Sequence, residues 1–201
     1  MKVTREPANG EVTKSPRGSE NGVQARLEST HASDTRELER ALQREGYSLS
    51  DFGALTIVLD KPSGFALNRL VKARREGVVV ITDNLCPEYW EDLWDLNPQV
   101  LLAGGHDIRE LTSALVRAVR GEHFRKTPHY ESDLTPRERD VLRLCATGLA
   151  NKQIAARLGL ARCTVKNNLS SAFSKLGLVR REQALLYYWG LWHWLTPAFE
   201  L

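Results

Sequence analysis

The sequence predicts an α/β domain with a parallel sheet, followed by an all-α domain of four helices. Short apolar runs alternate with amphipathic stretches between residues 54 and 121, which is typical of strand–helix–strand units with right-handed crossovers. From residue 135 onward the apolar residues recur only at helical spacing. The 201 residues, 42% of them hydrophobic and 26% charged, are enough for two small packed domains.

The first 33 residues are polar and rich in Pro and Gly, so we predict a disordered extension over residues 1–33 that contains no strand. A helix is predicted over residues 36–45, because Leu38, Ala41 and Leu42 recur at helical spacing and Gly46 follows.

Three strands are predicted at residues 55–59, 78–81 and 100–102, because these runs are apolar, β-branched and unalternating, as in buried parallel strands. Helices are predicted between and after them, at residues 65–76, 88–96 and 108–120. Three strands make an incomplete sheet. The α/β domain is assigned to residues 34–124 and a polar linker to residues 125–133.

The all-α domain is assigned to residues 134–201. Its first helix has a full start signal: Thr135 caps the helix, Pro136 suits the first helical position and Glu138 completes a capping box. Further helices are predicted over residues 152–158 and 162–176, and a fourth begins near Arg181. The tight turn at Gly159, between the second and third helices, indicates a helix-turn-helix.

The third helix has one apolar face and one face of short polar side chains. Its apolar stripe consists of Val165, Leu169, Ala172, Phe173 and Leu176. A polar face flanked by lysines suits the major groove of DNA, although a solvated helix face has the same pattern. The charge distribution favours DNA: residues 134–201 carry a net charge of +6, against −3 for the rest of the chain.

The segment 134–177 closely resembles the LuxR/NarL-type DNA-binding domain of bacterial transcription regulators, through the motifs LTPRE, NKQIA, LGL, TVK and KLG. The resemblance implies that the third helix is the recognition helix. It places Lys166, Asn167 and Ser170 at base-contacting positions. Four further residues are expected to meet phosphate: Lys152, Thr164, Asn168 and Lys175. The chain departs from the family in having Ala150 and Ala161 at two helix caps.

The resemblance also implies that the fourth helix mediates dimerisation. Its aromatic-rich sequence gives four candidate dimer contacts, namely Leu185, Tyr188, Trp189 and Trp192. Three roles remain open for these large side chains: contact with a second subunit, packing on the α/β domain of the same chain, or binding to a membrane surface.

The region 54–124 resembles the second half of a response-regulator receiver domain. Asp60 then corresponds to the phosphorylated aspartate, and Thr82 to the hydroxyl that senses the phosphate. Receivers also use an adjacent acidic pair for Mg²⁺ and a lysine after the last strand, where this chain has Ala103 and Gly104. We therefore predict that Asp60 is a vestigial phosphoacceptor and Thr82 a vestigial switch. Alternatively, both are simply polar residues that end strands.

Several function classes are not indicated. The N-terminus has no apolar signal region, no stretch is long enough to span a membrane, and the histidines and three cysteines have no metal-site spacing. No enzyme motif or cofactor fingerprint is recognised.

The prediction is thus a cytoplasmic regulator that binds double-stranded DNA as a homodimer. The receiver-like domain could also bind a protein partner or a small ligand at the carboxyl ends of its strands. Two alternatives follow: an anti-activator that forms heterodimers and binds DNA weakly, or a small-molecule sensor.

Overall fold

The structure is a computed structural model that describes residues 24–30, 32–51, 53–72, 77–129 and 132–192. Within these residues the α/β domain contains six strands: β1 Gln24–Glu28, β2 Ser48–Leu49, β3 Leu55–Leu59, β4 Val78–Thr82, β5 Val100–Ala103 and β6 Phe124–Lys126. The same residues form four helices in this domain, namely α1 Ala32–Arg44, α2 Phe65–Lys72, α3 Pro87–Asp95 and α4 Ile108–Val119.

All six strands are parallel, in the order β2-β1-β3-β4-β5-β6. The prediction of an incomplete sheet is therefore wrong. So is the prediction of a disordered segment up to residue 33, since residues 24–28 form β1 and α1 begins at residue 32. Residues 1–23 of the predicted extension lie outside the described residues.

The sequence does not predict β1 because apolar and polar residues alternate along this strand. Ala25 and Leu27 pack into the core, whereas Arg26 and Glu28 remain partly exposed. Only five residues separate β2 from β3, too few for the helix that normally crosses between parallel strands. One face of β1 therefore lacks a crossover helix, and its polar residues can reach solvent.

The sheet has a hydrophobic core on each face. One core joins the sheet to α1 and α4 through residues such as Leu42, Ile57 and Leu115. The other joins it to α2 and α3 through Val58 and Leu93, and it continues into the core of the helical domain. The two domains therefore pack together through the α2–α3 face of the sheet.

The helical domain contains α5 Pro136–Ala146, α6 Asn151–Leu158, α7 Arg162–Lys175 and α8 Arg181–Tyr188, as the sequence predicts. Thr135 caps α5 and forms the capping box with Glu138. Gly159 ends α6 in the left-handed conformation, with φ 65°. Neither Ala150 nor Ala161 supplies a side-chain cap. Among the described residues, no helix is long and apolar enough to cross a membrane.

Candidate nucleic-acid interface and the Asp60 site

The outer face of α7 is open. Lys166, Asn167 and Ser170, the predicted base-contacting residues, are all exposed and make no side-chain hydrogen bond to any described residue. The apolar side of the same helix is buried, with Val165 fully covered. The α/β domain packs against α5 and α8 and leaves this polar face free for a ligand.

The four predicted phosphate contacts differ in their surroundings. Lys152 and Thr164 are exposed, whereas Asn168 is half-buried and donates from Nδ2 to the carbonyl of Thr164 at 3.0 Å. Lys175 already has protein partners, since its Nζ lies 2.7 Å from Oε2 of Glu138. Lys152 is thus the cation of the set that is best placed to meet a phosphate.

Glu138 connects the start of α5 to the end of α7. Its side chain, in a residue only 5% exposed, accepts hydrogen bonds from Lys175, from Ser171 and from the backbone N–H of Thr135. Burial opposes ionisation of this carboxyl, but the hydrogen bonds from Lys175, Ser171 and Thr135 outweigh it and lower its pKa to about 2. Glu138 therefore holds the end of α7 against the start of α5.

Asp60 follows β3 directly and is sealed inside the protein, with 2% of its surface exposed. One carboxylate oxygen, Oδ2, accepts from the hydroxyl of Tyr89 at 2.6 Å and from that of Thr82 at 2.9 Å. The other, Oδ1, accepts from the backbone N–H groups of Gly64 at 3.1 Å and Ala66 at 2.8 Å. Burial raises the pKa of Asp60, although the hydrogen bonds favour its ionised form.

Tyr89 links this carboxylate to α8. Its ring makes edge-to-face contacts with Tyr188 and Trp189, with centroid distances of 5.5 Å and 6.0 Å. Trp189 also packs so close to Gly64 that a Cβ atom there would lie 2.9 Å from the indole ring. Asp60 therefore supports the contact between the two domains, a role that the sequence does not predict.

Two further buried carboxylates hold α8 against α3. The hydroxyl of Tyr187 donates to Oε2 of Glu88 at 2.7 Å, and that of Tyr188 donates to Oδ2 of Asp92 at 2.5 Å. Arg143 of α5 donates to the second oxygen of Asp92 at 2.8 Å. Burial raises the pKa of Asp92 to about 6, against the opposing effect of Arg143.

The aromatic residues of α8 thus have partners within the same chain. Tyr188 is 0% exposed, so it is inaccessible to a second subunit in this arrangement. Leu185, Trp189 and Trp192 are partly buried. The sequence left three roles open for these side chains. In the structure, Tyr188 and Trp189 pack on the α/β domain of the same chain.

The residues around Asp60 do not fit a Mg²⁺ site. β1 ends at Glu28, which is followed by Ser29 and not by a second acid, and Glu28 is paired with Arg69. β5 ends at Ala103, so the lysine of receivers is replaced. In the part of the chain that the structure describes, no group of three or more His, Cys, Asp or Glu residues could hold a metal.

Comparison with known proteins finds similarity mainly in the helical domain. Residues 132–188 match the model of the family described as bacterial regulatory proteins, luxR family. The DNA-binding transcriptional activator DevR/DosR of Mycobacterium tuberculosis is 45% identical over 75 residues, which are 37% of this chain and 34% of that protein. The nitrate/nitrite response regulator NarL of Escherichia coli K12 is 35% identical over 103 residues, which are 47% of each chain.

This chain therefore spans about a third of DevR/DosR and about half of NarL. A solved structure of two RcsB dimers bound to two parallel DNAs has a similar fold over 83% of this chain and 98% of that chain, with a TM-score of 0.53 and 21% sequence identity. DevR/DosR is a transcriptional activator and NarL a response regulator. The chain thus combines a helical domain that matches the luxR family model over residues 132–188 with an α/β domain whose described strands form a parallel sheet.

Proposed function

We propose that this protein is a cytoplasmic transcriptional regulator that binds specific sequences of double-stranded DNA as a homodimer, without conventional phosphorylation of Asp60. The observation that carries the proposal is the open outer face of α7, where Lys166, Asn167 and Ser170 have no partner among the described residues. Polar side chains held on a rigid helix, and not engaged with their own protein, are suited to an external ligand.

The chemistry of this face suits the major groove. Asn167 can form a bidentate pair with adenine, Lys166 can donate to guanine, and Ser170 can bond to either base edge. Lys152, on the neighbouring helix α6, supplies a cation for the phosphate backbone. Base contacts then determine sequence preference, while the basic domain supplies the salt-dependent affinity.

The proposal that Asp60 is not phosphorylated rests on its hydrogen bonds. Phosphorylation requires one carboxylate oxygen to attack phosphorus, with Mg²⁺ neutralising the developing charge. Either oxygen of Asp60 would lose two hydrogen bonds on doing so. The acidic residues that would hold Mg²⁺ are absent at the end of β1, where Glu28 stands beside Ser29 and pairs with Arg69.

The homodimer is proposed because two recognition helices, one helical turn of DNA apart, read two half-sites. RcsB is a protein of similar fold that has been solved as dimers on DNA. Since Tyr188 is buried against α3, a dimer that used Tyr188 of α8 would require that contact to open first. Dimer formation through this helix and the closed arrangement of the domains therefore compete.

The proposal is tested by selecting duplexes from a random library with the full chain and measuring affinity by fluorescence anisotropy. We expect Lys166→Ala to weaken binding to the selected duplex about tenfold, since one base contact contributes ~1–3 kcal/mol. Arg120→Ala is the matched control, because Arg120 is exposed on the α/β domain. A full chain that binds no duplex at low salt would contradict the proposal and favour the heterodimer alternative.

Phosphorylation is tested separately, by incubating the full chain with acetyl phosphate and Mg²⁺ and measuring the intact mass. We expect no phosphoryl adduct. Stoichiometric, Mg²⁺-dependent labelling that is lost in Asp60→Asn would show that Asp60 is a working phosphoacceptor, and it would leave the DNA-binding part of the proposal untouched.

A further inference from the structure

The carboxyl ends of β3 and β4 carry a second site on the opposite face of the sheet from Asp60. Leu59 and Lys61, on either side of Asp60, and Ile81 and Asp83, on either side of Thr82, line a cavity of about 320 Å³. Successive residues of a strand point to opposite faces. The sealed Asp60 site and this cavity therefore lie back to back.

The cavity has an apolar wall and a charged rim. Its apolar lining comes from α1, from α4 and from the ends of the two strands, namely Leu38, Ala41, Leu59, Ile81, Ile108 and Leu111. Its volume equals that of roughly ten water molecules and lies at the lower end of the ~300–1,000 Å³ range of ligand pockets. The carboxyl ends of parallel strands are also where open α/β sheets bind ligands.

The charge at the rim is mainly negative. Glu37, Asp83 and Asp107 contribute carboxylates, and only Asp83 is paired with the one lysine of the lining, Lys61, at 2.8 Å. Asp107 caps α4 by accepting from the backbone N–H of Glu110. Glu37 is exposed and has no partner among the described residues, so its charge is available to a cation.

His106 gives the second indication of a ligand. Its side chain lines the cavity, is only 6% exposed and contacts Glu110 through Nδ1 at 2.8 Å. The hydrogen bonds from Lys126 and His106 lower the pKa of Glu110, and this carboxylate accepts from Nδ1–H of His106. Nε2 is buried without a hydrogen-bond partner, and a buried polar atom without one is costly.

We propose that this cavity binds a small organic cation, an ammonium group on an apolar body of about ten heavy atoms. The body packs on the Leu38, Ile81 and Leu111 wall, and the ammonium lies beside Glu37. This site is independent of DNA binding by α7, and its test does not depend on the proposed function.

The test is an NMR titration of the ¹⁵N-labelled full chain with phenethylamine. We expect saturable shifts of amides in α1 and at the ends of β3 and β4, with a Kd on the order of 1 mM or tighter for a ligand of this size. 2-Phenylethanol and 3-phenylpropionate supply nearly the same body with a neutral or an anionic group. We expect the alcohol to bind at least threefold more weakly and the carboxylate not to bind.

Two variants locate the site. Ala41→Leu fills the cavity and should weaken phenethylamine binding at least tenfold. Glu37→Gln, at an exposed position, should weaken the amine three- to tenfold and leave the alcohol unchanged, while Glu45→Gln, exposed just beyond α1, should change neither. The proposal is overturned if no probe binds at 10 mM, if the alcohol or carboxylate binds as tightly as the amine, or if Glu37→Gln leaves amine affinity unchanged.

Discussion

The outer face of α7 and the site of Asp60 both present polar side chains on a rigid element, but those side chains differ in where their hydrogen bonds go. Lys166, Asn167 and Ser170 make none to the described protein. Asp60, by contrast, accepts four hydrogen bonds from its own chain and has almost no exposed surface. The first arrangement leaves hydrogen-bonding capacity for a partner, and the second leaves none.

The difference shows how a carboxylate at a strand end can serve a structural role. Tyr89 accounts for this role: its hydroxyl donates to one oxygen of Asp60, and its ring packs against Tyr188 and Trp189 of the helical domain. A carboxylate at a strand end is then held in place by the same residue that joins the two domains. The comparison predicts that substitutions at the two regions affect different properties, stability at Asp60 and DNA affinity at α7.

The largest expected effect is that of Asp60→Ala on stability. Removing the carboxylate leaves the hydroxyls of Thr82 and Tyr89 and the N–H of Ala66 without their buried acceptor, and each such group costs ~1–3 kcal/mol. We expect the free energy of unfolding to fall by about 3 kcal/mol in urea denaturation followed by tryptophan fluorescence.

The matched control for Asp60→Ala is Asp83→Ala. Asp83 follows β4 as Asp60 follows β3, but its side chain is 50% exposed and pairs with Lys61 at the surface. Exposed ion pairs contribute ~0–1 kcal/mol, so the control should change stability by less than 1 kcal/mol. If both substitutions lowered the free energy of unfolding equally, the hydrogen bonds of Asp60 would contribute little to stability. The carboxylate of Asp60 would then be available for reaction.

A smaller effect on stability is expected for Glu138→Gln, which acts beneath the recognition helix. The folded protein lowers the pKa of Glu138 from 4.5 to about 2. A lowered carboxyl pKa contributes stability above the unfolded-state pKa, and that contribution is lost as pH falls through 4.5 toward 2. At pH 7 we expect a loss of about 2 kcal/mol, somewhat less than the full shift implies.

This prediction is checked by urea unfolding of the wild type and the variant between pH 7 and pH 2.5. The two free energies should converge as the pH falls. Glu182→Gln is the control, because Glu182 is exposed in the first turn of α8. A difference between wild type and Glu138→Gln that stayed constant across the pH range would show that the charge of Glu138 is not the source of the effect.

The two lysines that are predicted to contact phosphate sharpen the comparison further. Lys152 is exposed, whereas Lys175 is held by Glu138. In anisotropy titrations at several salt concentrations, Lys152→Ala should reduce the slope of log K against log salt by about 1, as expected for a lost phosphate contact. Lys175→Ala should reduce it by less than half as much. If the two substitutions reduced the slope equally, Lys175 would be a full phosphate contact like Lys152.

The sequence predicts those features of the structure that depend on residues close together in the chain. The two faces of α7 and the capping box at Thr135 follow from spacing within a single helix, and the structure confirms both. The position of Asp60 after an apolar strand is local as well. The strand β1 is missed because its alternating polar residues face a side of the sheet without a crossover helix.

The contacts of Asp60 are predicted least well, because they join distant parts of the chain. Tyr89 is 29 positions from Asp60, and Tyr188 is 96 positions from Asp92. A weaker signal does exist. Glu88 and Asp92 lie at i and i+4 of α3, and both are 1% exposed, so two buried acids share one face of this helix. Paired acids of this kind require donors, which the tyrosines of α8 supply.

The smallest expected effect concerns the start of α7 itself. Ala161 has the extended backbone of an N-cap, with φ −71° and ψ 148°, but no side chain that can accept from the first turn. Ala161→Ser should therefore raise the free energy of unfolding by ~0.5–1 kcal/mol in urea denaturation, without any change in backbone conformation. Ala156→Ser is the control: Ala156 is exposed within α6, where serine is a slightly poorer helix former than alanine. If Ala161→Ser were no more stable than Ala156→Ser, the open end of α7 would already be satisfied by solvent, and the missing cap would not weaken the recognition helix.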